Sequence, residues 1–216
     1  MGNELCSISF DLDGTFADTS TDLAGALNAL RVELSLQPLP VPDVARYVGR
    51  GARWLVTHCI EGEDDALIDQ HVQRFLALYA DCCTATTAPY AGLDELVFWL
   101  RQAGVKVALA TNKPRRFTEA IVAGLAWQDW FDSIHCGDDG LAKPDPAMID
   151  ACVQQLGTTA QTHLHIGDTP TDAHAAARAG CHFAACFWGM DGGAGLTDMR
   201  LKGFALPSDL IAALKG

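Results

Sequence analysis

Phe10-Asp11-Leu12-Asp13-Gly14-Thr15 sets two carboxylates two residues apart, at the point where an apolar run breaks into a glycine turn. Side chains alternate along a strand, so Asp11 and Asp13 fall on one side if the strand continues through both. Gly14 ends that regularity and permits a sharp turn. Cys6, Ile8, Phe10 and Leu12 interleave with small residues, as in a strand buried on both faces, which predicts the first strand of a parallel α/β sheet. Ligands of such sheets bind at the carboxyl ends of strands. The pair is therefore a candidate site in which one Asp attacks and the other moves a proton. A solvated acidic turn is the plainer reading of Asp, Gly and Thr together; three later segments weigh against it.

Outward from that run, Leu23, Leu27, Leu30 and Leu34 recur at helical spacing, and a proline-rich break over Gln37 to Pro42 ends the helix. Further helical patterns cover Val44 to Tyr47, Ala52 to Cys59 and Glu63 to Cys82, with little strand signal between residues 17 and 86. From Pro89 the rhythm changes. Helices are expected over Leu93–Ala103, Pro114–Gly124, Pro146–Leu156 and Asp172–Ala179, alternating with strands over Val105–Ala110, Ser133–Cys136, His163–Ile166 and Phe183–Phe187. Such βα repetition implies a parallel sheet. The opening strand needs neighbours in it, which makes the helical block an insertion. The expected fold is α/β, a Rossmann-like core of residues 1–16 and 87–216 with an inserted all-helical cap over residues 17–86.

The 216 residues, 49% hydrophobic, suffice for a sizeable core. A net charge of −12, from 27 acidic against 15 basic residues, argues against nucleic acid or anionic membranes as partners. No apolar stretch approaches the ~20 residues of a bilayer span, and the amino terminus lacks a signal-peptide pattern, so a cytoplasmic location is expected. Eight cysteines without a CxxC pair point to free thiols rather than to zinc or disulfides. His163 and His165 share a strand face and read as structural, neutral imidazole suiting zinc better than phosphate-linked magnesium.

Each later strand of interest delivers a polar residue to the same sheet edge. Thr111-Asn112 follows one, Asp168 and Asp172 follow another, and Lys143 lies in the loop before the third of the later helices. Carboxylates packed together raise one another's pKa unless a cation neutralises them, and hard oxygen ligands imply Mg2+. A hydroxyl from Thr111 and the Lys143 ammonium would take the remaining oxygens of a phosphate. The site reads as phosphoryl transfer to a carboxylate.

DxDGT, Thr111, Lys143 and the GDxxxD of Gly167 to Asp172 resemble, in order, the four motifs of the haloacid dehalogenase superfamily, in its phosphatase branch. Thr111-Asn112-Lys113-Pro114 and Gly49-Arg50-Gly51-Ala52 look like its phosphoglycolate phosphatase group. That resemblance implies a Mg2+-dependent phosphatase of a small phosphorylated metabolite. It implies Asp11 as nucleophile forming an aspartyl-phosphate, and Asp13 as acid and then base. It implies metal held by Asp11, the Asp13 backbone carbonyl and Asp168, with Asp172 orienting the metal's water shell, and phosphate held by Thr111, Asn112 and Lys143. Asp172 reads equally as a helix cap. Arg50 and Arg53 are candidates for a second anionic group of the substrate, or solvated helix-end charges. Phe16, where the family more often has Leu, would pack at the cap hinge. The alternatives are a sugar phosphomutase of the same superfamily, which would carry a hinge His not found between Thr15 and Leu30, and a non-catalytic phosphate-binding or phospho-signalling protein. Oligomeric state, monomer or homodimer, is left open.

Overall fold

Strand β1 (Ser7–Phe10) lies inside a parallel sheet, hydrogen-bonded on one side to β4 (Lys106–Thr111) and on the other to β6 (His163–Gly167). In this computed structural model, which describes residues 5–60, 65–199, 201 and 203–215, β5 (Ser133–Cys136), β7 (His182–Cys186) and β8 (Gly203–Phe204) complete a six-stranded sheet of order β5-β4-β1-β6-β7-β8.

Period-two alternation divides the sheet's faces chemically. Ile8, Phe10, Val107, Leu109, Leu164 and Ile166 pack under α5 (Leu93–Gln102), α6 (Arg115–Gly124) and α10 (Pro207–Lys215). Ala108 and Ala110 face the other way, against Met148, Ile149 and Cys152 of α7 (Ala147–Leu156) and Ala175 of α8 (Pro170–Ala179). The small residues let those helices approach closely. Each fully buried Ile, Leu or Phe contributes roughly 1.5–3 kcal/mol of transfer free energy, so the large-residue face supplies most of the cohesion. Phe16 is fully buried and packs edge-on against Phe10, Trp127, Trp130 and Phe131 at centroid separations of 5.2–6.0 Å.

The insertion leaves and re-enters the core through a two-stranded antiparallel ribbon, in which β2 (Ala17–Asp18) pairs with β3 (Ala88–Pro89). Between them run α1 (Ser20–Glu33), α2 (Val41–Ala45), α3 (Ala52–Cys59) and α4 (Asp65–Ala80), which share a second apolar core built from Leu23, Leu27, Leu30, Val44, Leu55, Ile68 and Phe75. Thr19 and Asp22 have the spacing of a capping box at the start of α1, yet neither side chain caps it. Thr19 donates to Asp13 instead, and Asp22 accepts from the backbone and hydroxyls of Thr86 and Thr87.

Several elements differ from the sequence expectation. The ribbon lies partly inside the stretch expected to lack strands, because two residues carry no readable periodicity. The helix expected over Val44–Tyr47 starts at Val41 and ends at Ala45, with Pro42 in its first turn, a position where the missing N–H costs nothing. Beyond β7, α9 (Ala194–Asp198), β8 and α10 were not anticipated. The expected start of the long fourth helix, Glu63–Asp64, lies outside the described residues.

Candidate active site

The turn after β1 and the loops after β4 and β6 meet at one edge of the sheet. The Asp11 backbone N–H still bonds Ile166 O at 2.9 Å, so its carboxylate is held beside β6. Lys143 reaches it from the loop before α7: Nζ lies 3.0 Å from Asp11 Oδ1 and 2.6 Å from Asp172 Oδ1, and donates to Ala110 O at 2.6 Å. The Lys143 side chain is 1% exposed and those of its carboxylate partners 5% and 0%. Burial disfavours the Lys143 ammonium, yet the two carboxylates overcome it and hold its pKa above the usual lysine value.

Asp13, at the same sheet edge, has partners of its own. Its Oδ1 accepts from Lys113 Nζ at 2.7 Å and from Thr19 Oγ1 at 2.5 Å. Lys113 escaped the sequence reading, although it lies within the Thr111-Asn112-Lys113-Pro114 run; its position two residues after the strand-terminal Thr111 was the available signal. Thr111 is buried, its Oγ1 accepting from the Lys113 N–H at 3.2 Å. The Asn112 side chain is committed to scaffolding. It accepts from the Lys143 N–H at 2.8 Å and donates to Lys143 O at 2.9 Å and to Gly49 O, in the insertion, at 3.1 Å.

Asp168, after β6, accepts from Thr15 Oγ1 at 3.0 Å. A Cβ on Gly14, whose φ is +82°, would stand 2.2 Å from Asp168 Oδ2, so the turn needs glycine for both its conformation and this close approach. Ligand atoms of Asp11, Asp168 and Asp172 lie within 4.8 Å of one another, all three buried. Burial, then repulsion from Asp172 and Asp13, opposes the pull of Lys143 and lifts Asp11 to about 7. Burial, Asp11 and Asp172 push Asp168 well above the ordinary carboxylate range against the Thr15 hydrogen bond. A set of hard oxygens that cannot all ionise unaided suits a divalent cation such as Mg2+. The Asp13 carboxylate stands outside this cluster.

Asp172 differs from the other two. Burial raises its pKa, but Lys143 and His165 outweigh burial and hold it below the usual value. Its Oδ2 accepts from the Thr169 N–H and hydroxyl, completing the capping box of α8, while Oδ1 contacts Lys143 and, at 3.1 Å, His165 Nε2. Both its oxygens are thus engaged by protein. His165 and His163 belong to a buried polar seam: Thr158 contacts Ser7 Oγ at 2.7 Å, Ser7 contacts His163 Nδ1 at 2.7 Å, and Ser9 bridges His163 Nε2 and His165 Nδ1 at 2.8 Å each. Burial drives His163 down to about 3, so it is neutral at ordinary pH.

Between sheet edge and insertion lies a cleft of about 40 Å³ lined by Asp11, Asp13, Thr111 and Lys113 on one side and by Gly49, Leu55, Phe75 and Tyr79 on the other. Neither arginine candidate lines it. Arg53 is half-exposed and pairs with Asp69 at 3.1 Å. Arg50 lies 4.7 Å from the centre of the Trp54 ring and lines a neighbouring cavity of about 200 Å³ that reaches Asp13 and Asp168.

The profile of the haloacid dehalogenase-like hydrolase family matches residues 8–186. The chain is 36% identical over 193 residues to a phosphoglycolate phosphatase of Pseudomonas putida strain KT2440, covering 86% of this chain and 71% of that protein. It is 36% identical over 179 residues to a phosphoglycolate phosphatase of Caulobacter vibrioides, covering 81% and 76%. In fold it superposes on a crystal structure from Lactobacillus delbrueckii subsp. bulgaricus with a TM-score of 0.88, 26% identity and 98% coverage of both chains. The crystal structure of a predicted phosphatase from Clostridium acetobutylicum shares the fold with a TM-score of 0.85 at 17% identity, covering 98% of this chain and 99% of that one. Motifs, sheet topology and sequence similarity agree, and the chain belongs to the haloacid dehalogenase-like hydrolases.

Proposed function

We propose that the chain is a Mg2+-dependent phosphatase of small phosphate monoesters, with 2-phosphoglycolate as the first substrate to test. The observation that carries this reading is Asp11, buried between Lys143 and the Asp168–Asp172 pair and open to the same cleft as Asp13. Asp11 attacks phosphorus and the ester bond breaks, leaving the phosphoryl group on its carboxylate. Asp13, in the same cleft, protonates the departing alcohol oxygen and then takes a proton from the water that hydrolyses the acyl phosphate. Lys143 balances charge on Asp11 and on the phosphoryl oxygens, and Thr111 Oγ1 with the Asn112 backbone N–H supplies donors to them. Asp11, Asp168 and the Asp13 backbone carbonyl would hold Mg2+, which supplies charge neutralisation at the phosphoryl group. Asp172 holds Lys143 in place.

Residues 17–86 serve as the cap and residues 1–16 with 87–216 as the core, a division supported by the ribbon of β2 and β3 and by the separate apolar core of α1–α4. The hinge His of a phosphomutase is not found between Thr15 and Leu30, which favours hydrolysis over a phosphomutase reaction. Among the described residues no helix is long and apolar enough to cross a membrane. A phosphate-release screen over small metabolite phosphates tests the proposal. Magnesium-dependent turnover that falls at least ~1,000-fold in Asp11→Asn is expected; equal rates in parent and variant would rule out the covalent route.

A further inference from the structure

Among the described residues the cation lining the cleft is Lys113, buried beside Asp13. Lys113 Nζ, on a side chain 3% exposed, lies 2.7 Å from Asp13 Oδ1 and 4.8 Å from the centre of the Tyr79 ring. An ammonium carries three donors, and among the described residues Asp13 is the acceptor that meets Lys113 with good hydrogen-bond geometry. Tyr79, 1% exposed, lines the same cleft, and among the described residues nothing completes a hydrogen bond to its hydroxyl, although the Lys113 ammonium is near enough to act on it. On the insertion side the other large lining side chains are apolar: Leu23, Val48, Leu55, Phe75 and Leu76. The amino end of α3, with no side-chain cap, opens on the cleft through Gly51 and Ala52 and adds a favourable field for an anion.

We propose that Lys113 Nζ and Tyr79 Oη form a subsite for a carboxylate on the leaving group, so that the favoured substrates are short phosphate esters of hydroxy acids. The inference rests on the phosphatase reading above and identifies what that site recognises. The dimensions agree with it. An ester oxygen and a carboxylate separated by one carbon lie about 3 Å apart, so a leaving oxygen facing Asp13 brings its carboxylate to the ammonium beside Asp13. An alkyl leaving group such as ethyl offers no acceptor to Lys113 or to the Tyr79 hydroxyl, and an uncharged hydroxyl offers no charge to the ammonium. Arg50, in the neighbouring cavity and beside Trp54, is the competing reader of such a charge.

The test is a binding measurement, which separates this inference from turnover. Asp11→Asn protein with magnesium is titrated calorimetrically with 2-phosphoglycolate and with ethyl phosphate, alone and combined with Lys113→Met, Tyr79→Phe or Arg50→Ala. The parent Asp11→Asn protein should prefer 2-phosphoglycolate at least about tenfold. Lys113→Met should abolish the preference, Tyr79→Phe should reduce it about threefold or more while keeping the fold, and Arg50→Ala should leave it intact. No preference in Asp11→Asn, binding of neither ester, or a preference that survives Lys113→Met and Tyr79→Phe would overturn the subsite. So would one lost in Arg50→Ala alone. A preference lost in Lys113→Met from a wild-type chain that releases no phosphate would keep the subsite and refute the phosphatase.

Discussion

Replacing Asp22 with Ala tests whether one carboxylate fastens the exit of the insertion to its entrance. Asp22 is buried in the first turn of α1 and collects four donors from the segment leading to β3: Thr86 N–H at 3.0 Å, Thr86 Oγ1 at 2.6 Å, Thr87 N–H at 3.0 Å and Thr87 Oγ1 at 2.8 Å. The hydroxyls can rotate to other acceptors, and the exposed Thr86 N–H can turn to water. The Thr87 N–H is buried and cannot, and an orphaned buried donor costs about 1–3 kcal/mol. Adding the net loss of the other bonds to a charged acceptor gives about 3 kcal/mol. For a chain of this size that lowers Tm by about 6–12 °C, readable by far-UV circular dichroism. Burial raises the Asp22 pKa, but the Thr86 and Thr87 hydrogen bonds outweigh it, so its native value lies below the ordinary aspartate value of 3.8. The unfolded chain therefore binds the proton first. The stabilisation is complete above about pH 5 and fades as pH falls through the native value below 3.8. A Tm loss under about 2 °C at pH 7, or one undiminished at pH 2.5, would refute the fastening role.

Asp11 titrates with the opposite sign. With a native pKa near 7 against an unfolded 3.8, its ionisation weakens the metal-free fold as pH rises from about 4 to 7. In EDTA, Asp11→Asn should flatten that limb of the Tm–pH curve, and magnesium should raise Tm in the wild type more than in the variant; parallel curves would contradict the assignment. Lys143→Met leaves Asp11 and Asp172 buried without their shared cation, and breaking such a pair costs about 3–5 kcal/mol. Calorimetry should show that loss together with a fall in phosphate release of about 100-fold or more; a variant as stable as the parent would count against a structural role for the pair. Ser9→Ala deprives both seam histidines of a partner. It should lower stability by about 1–3 kcal/mol in chemical denaturation while phosphate release stays within about threefold, and a collapse of activity at unchanged stability would place Ser9 in the chemistry.

The parts of the fold legible in the sequence are those with period. The βα alternation after Pro89 and the leucine spacing of α1 carry their own geometry, whereas β2, β3 and β8 are two residues each and exist only through their partners. Local motifs are legible only when nothing distant competes. Thr169 and Asp172 carry capping-box spacing and form the box, yet Thr19 and Asp22 carry the same spacing and are drawn away, by Asp13 and by Thr86–Thr87. Lys113 was adjacent to a recognised residue, but which wall a four-carbon side chain reaches depends on the insertion that closes over it. The His163–His165 pair was visible as a pattern, and Ser7 and Ser9 alternate in step with it on the neighbouring strand. The parallel register of Ser7 with His163 and Ser9 with His165 makes them a seam, and register is a property of the sheet.

The two aspartates of the opening run are held by two lysines of different origin, and this divides the proposed reaction spatially. Asp11 and Lys143 are fixed from within the core: Lys143 is tied to Asp172, Asp172 to His165, and His165 through Ser9 and His163 to Ser7. That chain of contacts runs within the core, and among the described residues the insertion joins it only at the Lys143 backbone, through Asn112 and Gly49, so the geometry proposed for attack on phosphorus is set mainly by the core. Asp13 is held by Lys113 and by Thr19, and the hydroxyl of Thr19 stands at the threshold of α1. Lys113 in turn lies over Tyr79 of α4, and Asn112 reaches across to Gly49. Protonation of the leaving group, as proposed, would therefore take place where core and insertion meet. Changes in the insertion should alter which alcohol departs before they alter whether phosphorus is attacked, and the seam beneath the sheet should have the opposite priority.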